Sequence, residues 1–300
     1  MGNKNANLNA AKTAKQDEWY TQEIDIINEL QHYKHHFENK IVYCNCDNPV
    51  WSNFWKYFYD NFYELKLKKL ISTYYQTEGQ VYKTEYDGSD VVKTPLVGNG
   101  DFRSEECVEI LREADICCTN PPFSLWRQFC MQLIEYEKKF LIIGNKNVIS
   151  CKEIFPLLKE NKMWIGYCAP SEFRTPDGEI TKSLAGLTRW FANLDINKRH
   201  KDLVLLKCYS KEEYPEYDNC KAIEVGKVSD IPCDYDGVMG VPITFLDKYN
   251  PSQFEVIGKS DDFAGPMIID GKRKENPGRF YVNGKRKFDR ILIQRKKEGE

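Results

Sequence analysis

Histidine is scarce in this sequence. There are four in 300 residues, and three of them, His32, His35 and His36, share one early segment. An imidazole-based metal centre lacks its raw material, and no histidine is assigned a catalytic role. The 11 cysteines lack metal-ligand spacing. Cys44 and Cys46 are one residue apart and Cys117 and Cys118 adjacent, where zinc sites usually leave about two to four residues between ligands. An odd number of cysteines without a secretion signal reads as reduced, mostly buried thiols. No structural metal is expected. Long apolar runs are missing too: none approaches the roughly 20 residues that span a bilayer. Residues 1–16 are polar and lack the apolar segment of a secretory signal. The expectation is a cytoplasmic protein with no membrane partner.

What is present supports a packed core. Hydrophobic residues make up 41% of the chain and aromatics 13%, enough for one large α/β domain with an appendage. Net charge is −2, but it is unevenly spread. Residues 271–300 carry 11 Lys/Arg against 4 Asp/Glu, while the rest carries 32 against 41. A basic tail on an acidic body fits phosphate contact by one region.

Residues 1–15 read as a disordered tail. Apolar residues at helical spacing (Ile24, Ile27, Leu30, Tyr33, Phe37) predict a helix over 21–37. A strand over 40–44 stops at turn-forming residues, and Ser52 is placed to cap a helix over 53–65. A strand over 69–74 is followed by a polar hairpin over 76–98, with Asp87-Gly88 as its turn. A helix ends near Glu113, a buried strand covers 114–118, a helix 123–138 and an apolar strand 139–144. This alternation predicts a doubly wound, mostly parallel sheet with ligands at the carboxyl ends of its strands. Residues 163–165 and 187–191 are short apolar runs, and 203–208 reads as a further strand. The catalytic domain is expected over 16–210. Residues 211–300 form a mixed, β-rich extension packed on it, with strands at 254–257, 279–282 and 290–294. There is no internal repeat.

The chemistry concentrates at Asn120-Pro121-Pro122-Phe123, delivered by a buried strand to the sheet's carboxyl edge. The Asn120 side-chain oxygen can accept one hydrogen of an amine. The Pro121 carbonyl can accept the other, because the following proline restricts the turn. Two acceptors draw an amine out of conjugation with its ring and aim its lone pair at a methyl donor. Phe123 offers a flat stacking surface. A base within a duplex cannot reach such a site without being flipped out. The same residues could instead serve as a plain helix start.

Asn-Pro-Pro-Phe is the signature of amino-methyltransferases, and more of the chain resembles the EcoRI-type adenine-specific DNA methyltransferases. The matching stretches are Asp17-Glu18-Trp19-Tyr20-Thr21-Gln22, Cys44-Asn45-Cys46-Asp47-Asn48-Pro49 with Ser52-Asn53-Phe54, and Gly100-Asp101-Phe102-Arg103-Ser104-Glu105-Glu106. Two more are Trp190-Phe191-Ala192-Asn193-Leu194-Asp195 and Val241-Pro242-Ile243-Thr244-Phe245-Leu246-Asp247. Together they span about residues 17–295. The resemblance implies a class I fold of the S-adenosylmethionine-dependent type and transfer of a methyl group from S-adenosyl-L-methionine to the N6 amine of adenine in duplex DNA. It implies Asn120, Pro121, Pro122 and Phe123 as catalytic residues. It implies Tyr20, Thr21, Cys44, Asn45, Asp47, Asp101, Phe102 and Asn120 around the cofactor. Asp47 would meet the cationic amino acid portion, and Asp101-Phe102 the cofactor's adenine; for both aspartates a helix cap or turn is the competing role. The loop after the first strand has no glycine, unlike most methyltransferases but like the EcoRI-type group. The strand over 69–74 ends without an acidic residue for the ribose.

Lys198-Arg199-His200-Lys201 is a compact basic run, and Lys272, Arg273, Lys285 and Arg286 flank candidate hairpin turns. These residues suit phosphates rather than base edges. Each run reads equally as a solvated surface. The expected partners are duplex DNA and a cognate restriction endonuclease acting on the same site without stable contact; the protein itself is expected to be a monomer. Two other readings stay open from sequence: methylation of RNA adenine or a protein amide, and an inactive DNA-binding protein that keeps the fold.

Overall fold

The computed structural model describes residues 20–174, 179–182, 186–269 and 271–296. The tail expected over 1–15, and Asp17, Glu18 and Trp19, lie outside the described residues. The chain divides into two units, Met1–Ile196 and Asn197–Glu300.

The N-terminal unit runs β1 (Tyr20–Thr21), α1 (Glu23–Leu30), β2 (Ile41–Cys44), α2 (Asn53–Asp60), β3 (Lys69–Ser72), β4 (Tyr82–Tyr86), β5 (Val91–Pro95) and α3 (Glu105–Glu113). It continues with β6 (Ile116–Thr119), α4 (Trp126–Glu135), β7 (Lys139–Asn145), α5 (Phe155–Lys159), β8 (Trp164–Ile165), β9 (Phe173–Arg174), β10 (Ile180–Thr181) and β11 (Thr188–Ala192). Eight strands form one sheet in the order β5-β4-β3-β2-β6-β7-β11-β8. The expected parallel sheet is its centre: β3, β2, β6 and β7 run parallel. The edges are antiparallel, made by the β4–β5 hairpin on one side and by β11 and β8 on the other. The central strands are buried almost throughout, as a sheet covered on both faces requires.

Strand order reverses at β2, from which the sheet grows one way to β3 and the other way to β6. The carboxyl ends of β2 and β6 therefore flank the switch point, where open α/β sheets place their ligands. Local chemistry sets the elements around it. The Ser52 hydroxyl caps α2 by accepting from the backbone N–H groups of Phe54 and Trp55 at 3.1 and 3.3 Å. Ser104 caps α3 through Cys107 N–H, with Glu105 and Glu106 in its first turn. Helix α4 is seated by Trp126, wholly buried, whose indole N–H donates to the Ile143 carbonyl at 2.7 Å. Gly144 leaves room for that indole, since a Cβ there would lie 2.5 Å from its nitrogen.

The helix expected over 21–37 is broken into β1, α1 and a 3-10 turn at Lys34–His36. Its buried face carries Asp25, Ile26, Glu29 and Leu30, while Ile24 and Ile27 are exposed. The two carboxylates explain the rotation. Asp25 accepts from the N–H groups of Ser171 and Glu172, and Glu29 from Tyr167 and Cys168 N–H and from the Tyr33 hydroxyl. Both are buried because they satisfy the backbone of a distant loop.

The C-terminal unit holds β12 (Glu216–Tyr217), β13 (Cys220–Glu224), β14 (Met239–Pro242), β15 (Phe254–Lys259), α6 (Ser260–Phe263), β16 (Met267–Ile269), β17 (Lys272–Lys274), β18 (Tyr281–Val282), β19 (Lys285–Arg286) and β20 (Arg290–Arg295). Five of its strands form a sheet in the order β12-β13-β14-β20-β15; β16–β17 and β18–β19 are separate hairpins. Glu224 and Arg290 meet in two contacts, at 2.5 and 3.1 Å, with side chains 7% and 9% exposed.

Residues 203–208 make no strand. Lys207 forms a single parallel bridge to Pro232, and Val204 and Leu206 are 79% and 83% exposed. The segment instead ties into its own unit, with Leu203 N–H donating to the Gln253 side chain. This is why the units divide at 196/197, where the sequence placed the boundary at 210/211.

Candidate active site

A cleft of about 240 Å³ opens at the switch point. Its walls come from four stretches of the chain. Thr21 comes from β1; Cys46, Asp47 and Ser52 from the β2–α2 connection, with Asn53 and Phe54 from the first turn of α2; Tyr75, Gly100, Asp101, Phe102 and Arg103 from the segments around the hairpin; and Asn120, Pro122 and Leu125 from the β6–α4 connection.

Asp47 joins the two central loops. Its carboxylate accepts from the Ser52 hydroxyl at 2.6 Å and from the Thr119 hydroxyl at 2.6 Å, and its backbone N–H donates to the Thr73 carbonyl at 2.9 Å. The Ser72 hydroxyl donates to the Asp47 carbonyl. A buried carboxylate is thus held between β2, β3, β6 and the start of α2 by groups that orient it. Thr21 is placed by Asn53, whose side-chain amide donates to the Thr21 carbonyl at 2.7 Å. The Thr21 hydroxyl is buried and has no hydrogen-bond partner among the described residues.

Elsewhere in the lining, Asp101 is gripped by Arg103. The guanidinium donates to both carboxylate oxygens, at 2.9 and 2.6 Å, and Arg103 N–H donates at 2.9 Å. These bonds hold the Asp101 carboxyl below the usual carboxylate range. Phe102 is buried, edge-on to Phe129 at 5.1 Å between ring centres. Gly100 sits at φ +77°, and a Cβ on it would lie 2.0 Å from the Tyr74 carbonyl. The glycine is required there because its backbone passes close to that of Tyr74.

The Asn-Pro-Pro-Phe tetrapeptide begins where β6 ends. Asn120 and Pro122 line the cleft, and the Asn120 side-chain oxygen is shielded from solvent. The turn closes through Leu125 N–H to the Pro122 carbonyl at 3.0 Å, and α4 starts one residue later. Pro121 is buried and Phe123 half-buried against the N-terminal core; neither lines the cleft.

Thr21, Asp47, Asp101, Phe102, Asn120 and Pro122 are thus brought together as the sequence placed them. Cys44 and Asn45 are not among them. Cys44 is wholly buried in the core, and Asn45 accepts from the Thr73 hydroxyl at 3.2 Å. Cys46 takes their place on the cleft wall. The backbone of Tyr20 pairs with Arg174 in the small sheet β1-β9-β10. Sequence reasoning missed Ser52, Asn53, Phe54, Tyr75, Gly100, Arg103 and Leu125. Five of them, Ser52, Asn53, Phe54, Gly100 and Arg103, sit inside stretches already singled out, and Ser52 was otherwise marked only as a cap; that the capped end of α2 faces the switch point was the available signal. Burial pushes the thiols of Cys44, Cys117 and Cys118 well up, so they stay protonated at neutral pH.

The cleft fits a ligand such as S-adenosylmethionine. It offers an orphaned buried hydroxyl, two carboxylates and a buried aromatic. Among the described residues, no helix is long and apolar enough to cross a membrane.

Of the basic candidates, Arg199 is buried (8% exposed) within a 3-10 turn, so it is not a surface phosphate contact. Lys198 is half-buried and Lys201 exposed. Lys272 and Arg273 are exposed on β17 after a turn at Gly271 (φ +71°). Lys285 and Arg286 are exposed on β19 after Asn283-Gly284 (φ +50° and +73°).

The family described as adenine-specific methyltransferase EcoRI matches residues 7–296. Type II methyltransferase M.EcoRI of Escherichia coli is 42% identical over 97% of this chain and 96% of its own length. Type II methyltransferase M.MgeORF184P of Mycoplasma genitalium is 39% identical over 96% and 98%. Type II methyltransferase M.MpnI of Mycoplasma pneumoniae is 36% identical over 96% and 98%. No solved structure matches the chain.

Proposed function

The chain belongs to the adenine-specific methyltransferase EcoRI family, and from that premise we propose a role for each wall of its cleft. The protein is a site-specific adenine DNA methyltransferase of the restriction-modification kind and uses S-adenosyl-L-methionine. Its central sheet, with a late antiparallel strand inserted next to the last parallel one, is of the class I methyltransferase type. When bound, S-adenosylmethionine supplies a methyl group already activated by its sulfonium.

Asp47 and Thr21 hold the amino acid portion of that cofactor, and Asp101 with Phe102 holds its adenine. The Asp101–Arg103 grip keeps the Asp101 carboxylate charged and pointed. Asn120 and the Pro121 carbonyl accept the two hydrogens of the target N6 amine, which frees its lone pair. Phe123, partly exposed beside them, stacks on the flipped base. Alignment in a dry site and the two acceptors carry the rate, with no strongly shifted general base. Lys272, Arg273, Lys285, Arg286, Lys198 and Lys201 contact the phosphates of duplex DNA. The protein acts in the cytoplasm as a monomer, beside an endonuclease that reads the same site without stable contact.

The observation that carries this reading is the meeting of Asn120 and Asp47 at the switch point, joined through Thr119. The test is Asn120→Ala. Methyl transfer to duplex DNA is expected to fall by about 10²–10³-fold while cofactor affinity, measured by calorimetry, is kept. Equal loss of both would make the loop structural. Label transferred to RNA or protein but not DNA would overturn the substrate.

A further inference from the structure

One side-chain cluster belongs to the C-terminal unit, among residues that do not line the cleft. The thiols of Cys208 and Cys233 and the carboxylate of Asp234 bring their ligand atoms within 4.8 Å of one another. All three residues are at least partly exposed. The expectation of no metal rested on the few histidines and on the spacing of neighbouring cysteines; these two stand 25 positions apart and the fold pairs them.

Backbone contacts hold the cluster in place. Lys207 bridges Pro232, and Cys233 N–H donates to the Lys207 carbonyl at 2.8 Å. Asp234 Oδ1 accepts from Tyr209 N–H at 2.7 Å, which orients the carboxylate toward the two thiols. The Arg295 guanidinium donates to the Cys233 carbonyl. Cys233 and Asp234 are therefore held by hydrogen bonds of their own, and Cys208 follows directly on the bridged Lys207, as outer contacts fix ligands in metal sites.

We propose that Cys208, Cys233 and Asp234 form a binding site for a borderline-soft divalent cation of the zinc class. Two thiolates and one carboxylate match the donors zinc takes, and a solvent molecule completes four-coordination. Binding displaces one proton from each thiol to solvent. The ion also supplies a clamp where the chain needs one. Residues 203–208 have no strand ladder, and the metal would tie their end to 232–234.

The test uses the full-length, reduced, metal-stripped protein with Co²⁺ as the probe. One equivalent is expected to give thiolate-to-cobalt charge-transfer absorption and the strong visible bands of a tetrahedral site, both abolished by excess Zn²⁺. The double variant Cys208→Ser/Cys233→Ser should lose the charge-transfer absorption, and Asp234→Asn should weaken Co²⁺ binding by at least roughly tenfold. Cys220→Ser should change neither. Zn²⁺ should raise the melting temperature of the parent but not of the double variant, whose far-ultraviolet circular dichroism confirms that it folds. Absence of charge transfer in the parent overturns the proposal. So does absorption that survives in the double variant, or a Cys208–Cys233 disulfide that forms in place of metal binding.

Discussion

Each unit buries a carboxylate at its structural centre, and the two do it by different chemistry. Glu224 in the C-terminal sheet faces the Arg290 guanidinium in two contacts and also accepts from the Tyr217 hydroxyl. Asp47 in the N-terminal unit is held by the Ser52 and Thr119 hydroxyls. A guanidinium neutralises the charge it binds, so Glu224 is committed to the fold. Hydroxyls orient a carboxylate and leave its charge in place. Asp47 also lines an open cleft, where a cationic ligand can use that charge. Similar burial, 6% and 7% exposed, thus closes an ion pair in one unit and leaves a carboxylate on a cleft wall in the other.

The largest effect that separates the two is expected at Glu224. Glu224→Gln leaves the Arg290 charge buried without its counter-ion, which costs about 3–5 kcal/mol in pairs of this kind. Urea unfolding followed by circular dichroism measures it. A loss below about 1 kcal/mol, the range of surface pairs, would erase the contrast with Asp47.

Asp47→Asn should do the converse. The hydroxyls of Ser52 and Thr119 can rotate to suit an amide, so the fold should lose little. Cofactor binding should lose one charge-assisted contact, about 1.5–3 kcal/mol or roughly 10–100-fold in affinity. Calorimetry with S-adenosylmethionine reads the affinity and thermal melting the stability. A variant that melts early yet binds normally would make Asp47 a structural residue like Glu224.

How much of this was legible in the sequence differs between the units in the same way. The N-terminal frame could be read: apolar strands alternating with capped helices, the Asp87-Gly88 hairpin, and Asn120 at a strand end. These are local signals, and the parallel centre of the sheet follows from them. The errors there come from tertiary contacts. Helix α1 turns its polar residues inward because Asp25 and Glu29 serve a loop more than 130 residues away. Cys44 and Asn45 belong to the core because the loop after β2 turns toward the cleft only at Cys46. In the C-terminal unit the pattern misled outright over 203–208, where apolar composition without a neighbouring strand makes no ladder. Strands β13 and β14 carry a buried Glu224 and a proline, which hide a strand signal. Arg199 looked like part of a basic surface, and its burial is a property of the fold alone.

Asp101 offers a third way of holding a carboxylate, intermediate between the others: a guanidinium partner, but on the cleft wall and part-exposed. Its carboxyl sits below the usual range chiefly because of the Arg103 side chain. A depressed value in the folded protein means that the favourable interaction is present above the ordinary carboxylate pKa and is lost as pH falls through the lower, folded value. Cofactor affinity should therefore stay level down to mildly acidic pH. Arg103→Gln returns Asp101 toward its ordinary value, so affinity should begin to fall at higher pH. Stability at neutral pH should change by less than about 1 kcal/mol, since Arg103 is half-exposed. A pH titration of cofactor binding in both proteins tests this. Coincident profiles would mean that Arg103 does not tune Asp101.

The smallest effect is expected where no charge is buried at all. Lys272 and Arg273 stand exposed on β17, and Arg273 lies 2.8 Å from Glu275. Neutralising them should barely move stability or turnover at saturating DNA, because neither supports the fold or the cleft. It should show in the salt dependence of DNA binding. Each phosphate contact contributes about 0.9 to the slope of log affinity against log salt, so Lys272→Ala/Arg273→Ala should flatten that slope by roughly 2 if both residues touch phosphate. The loss should be similar on specific and non-specific duplexes, since such contacts set register and read no base. An unchanged slope would remove the β16–β17 hairpin from the DNA surface. A loss confined to the specific site would turn these residues from phosphate contacts into base readers, and the C-terminal unit would then carry recognition as well as affinity.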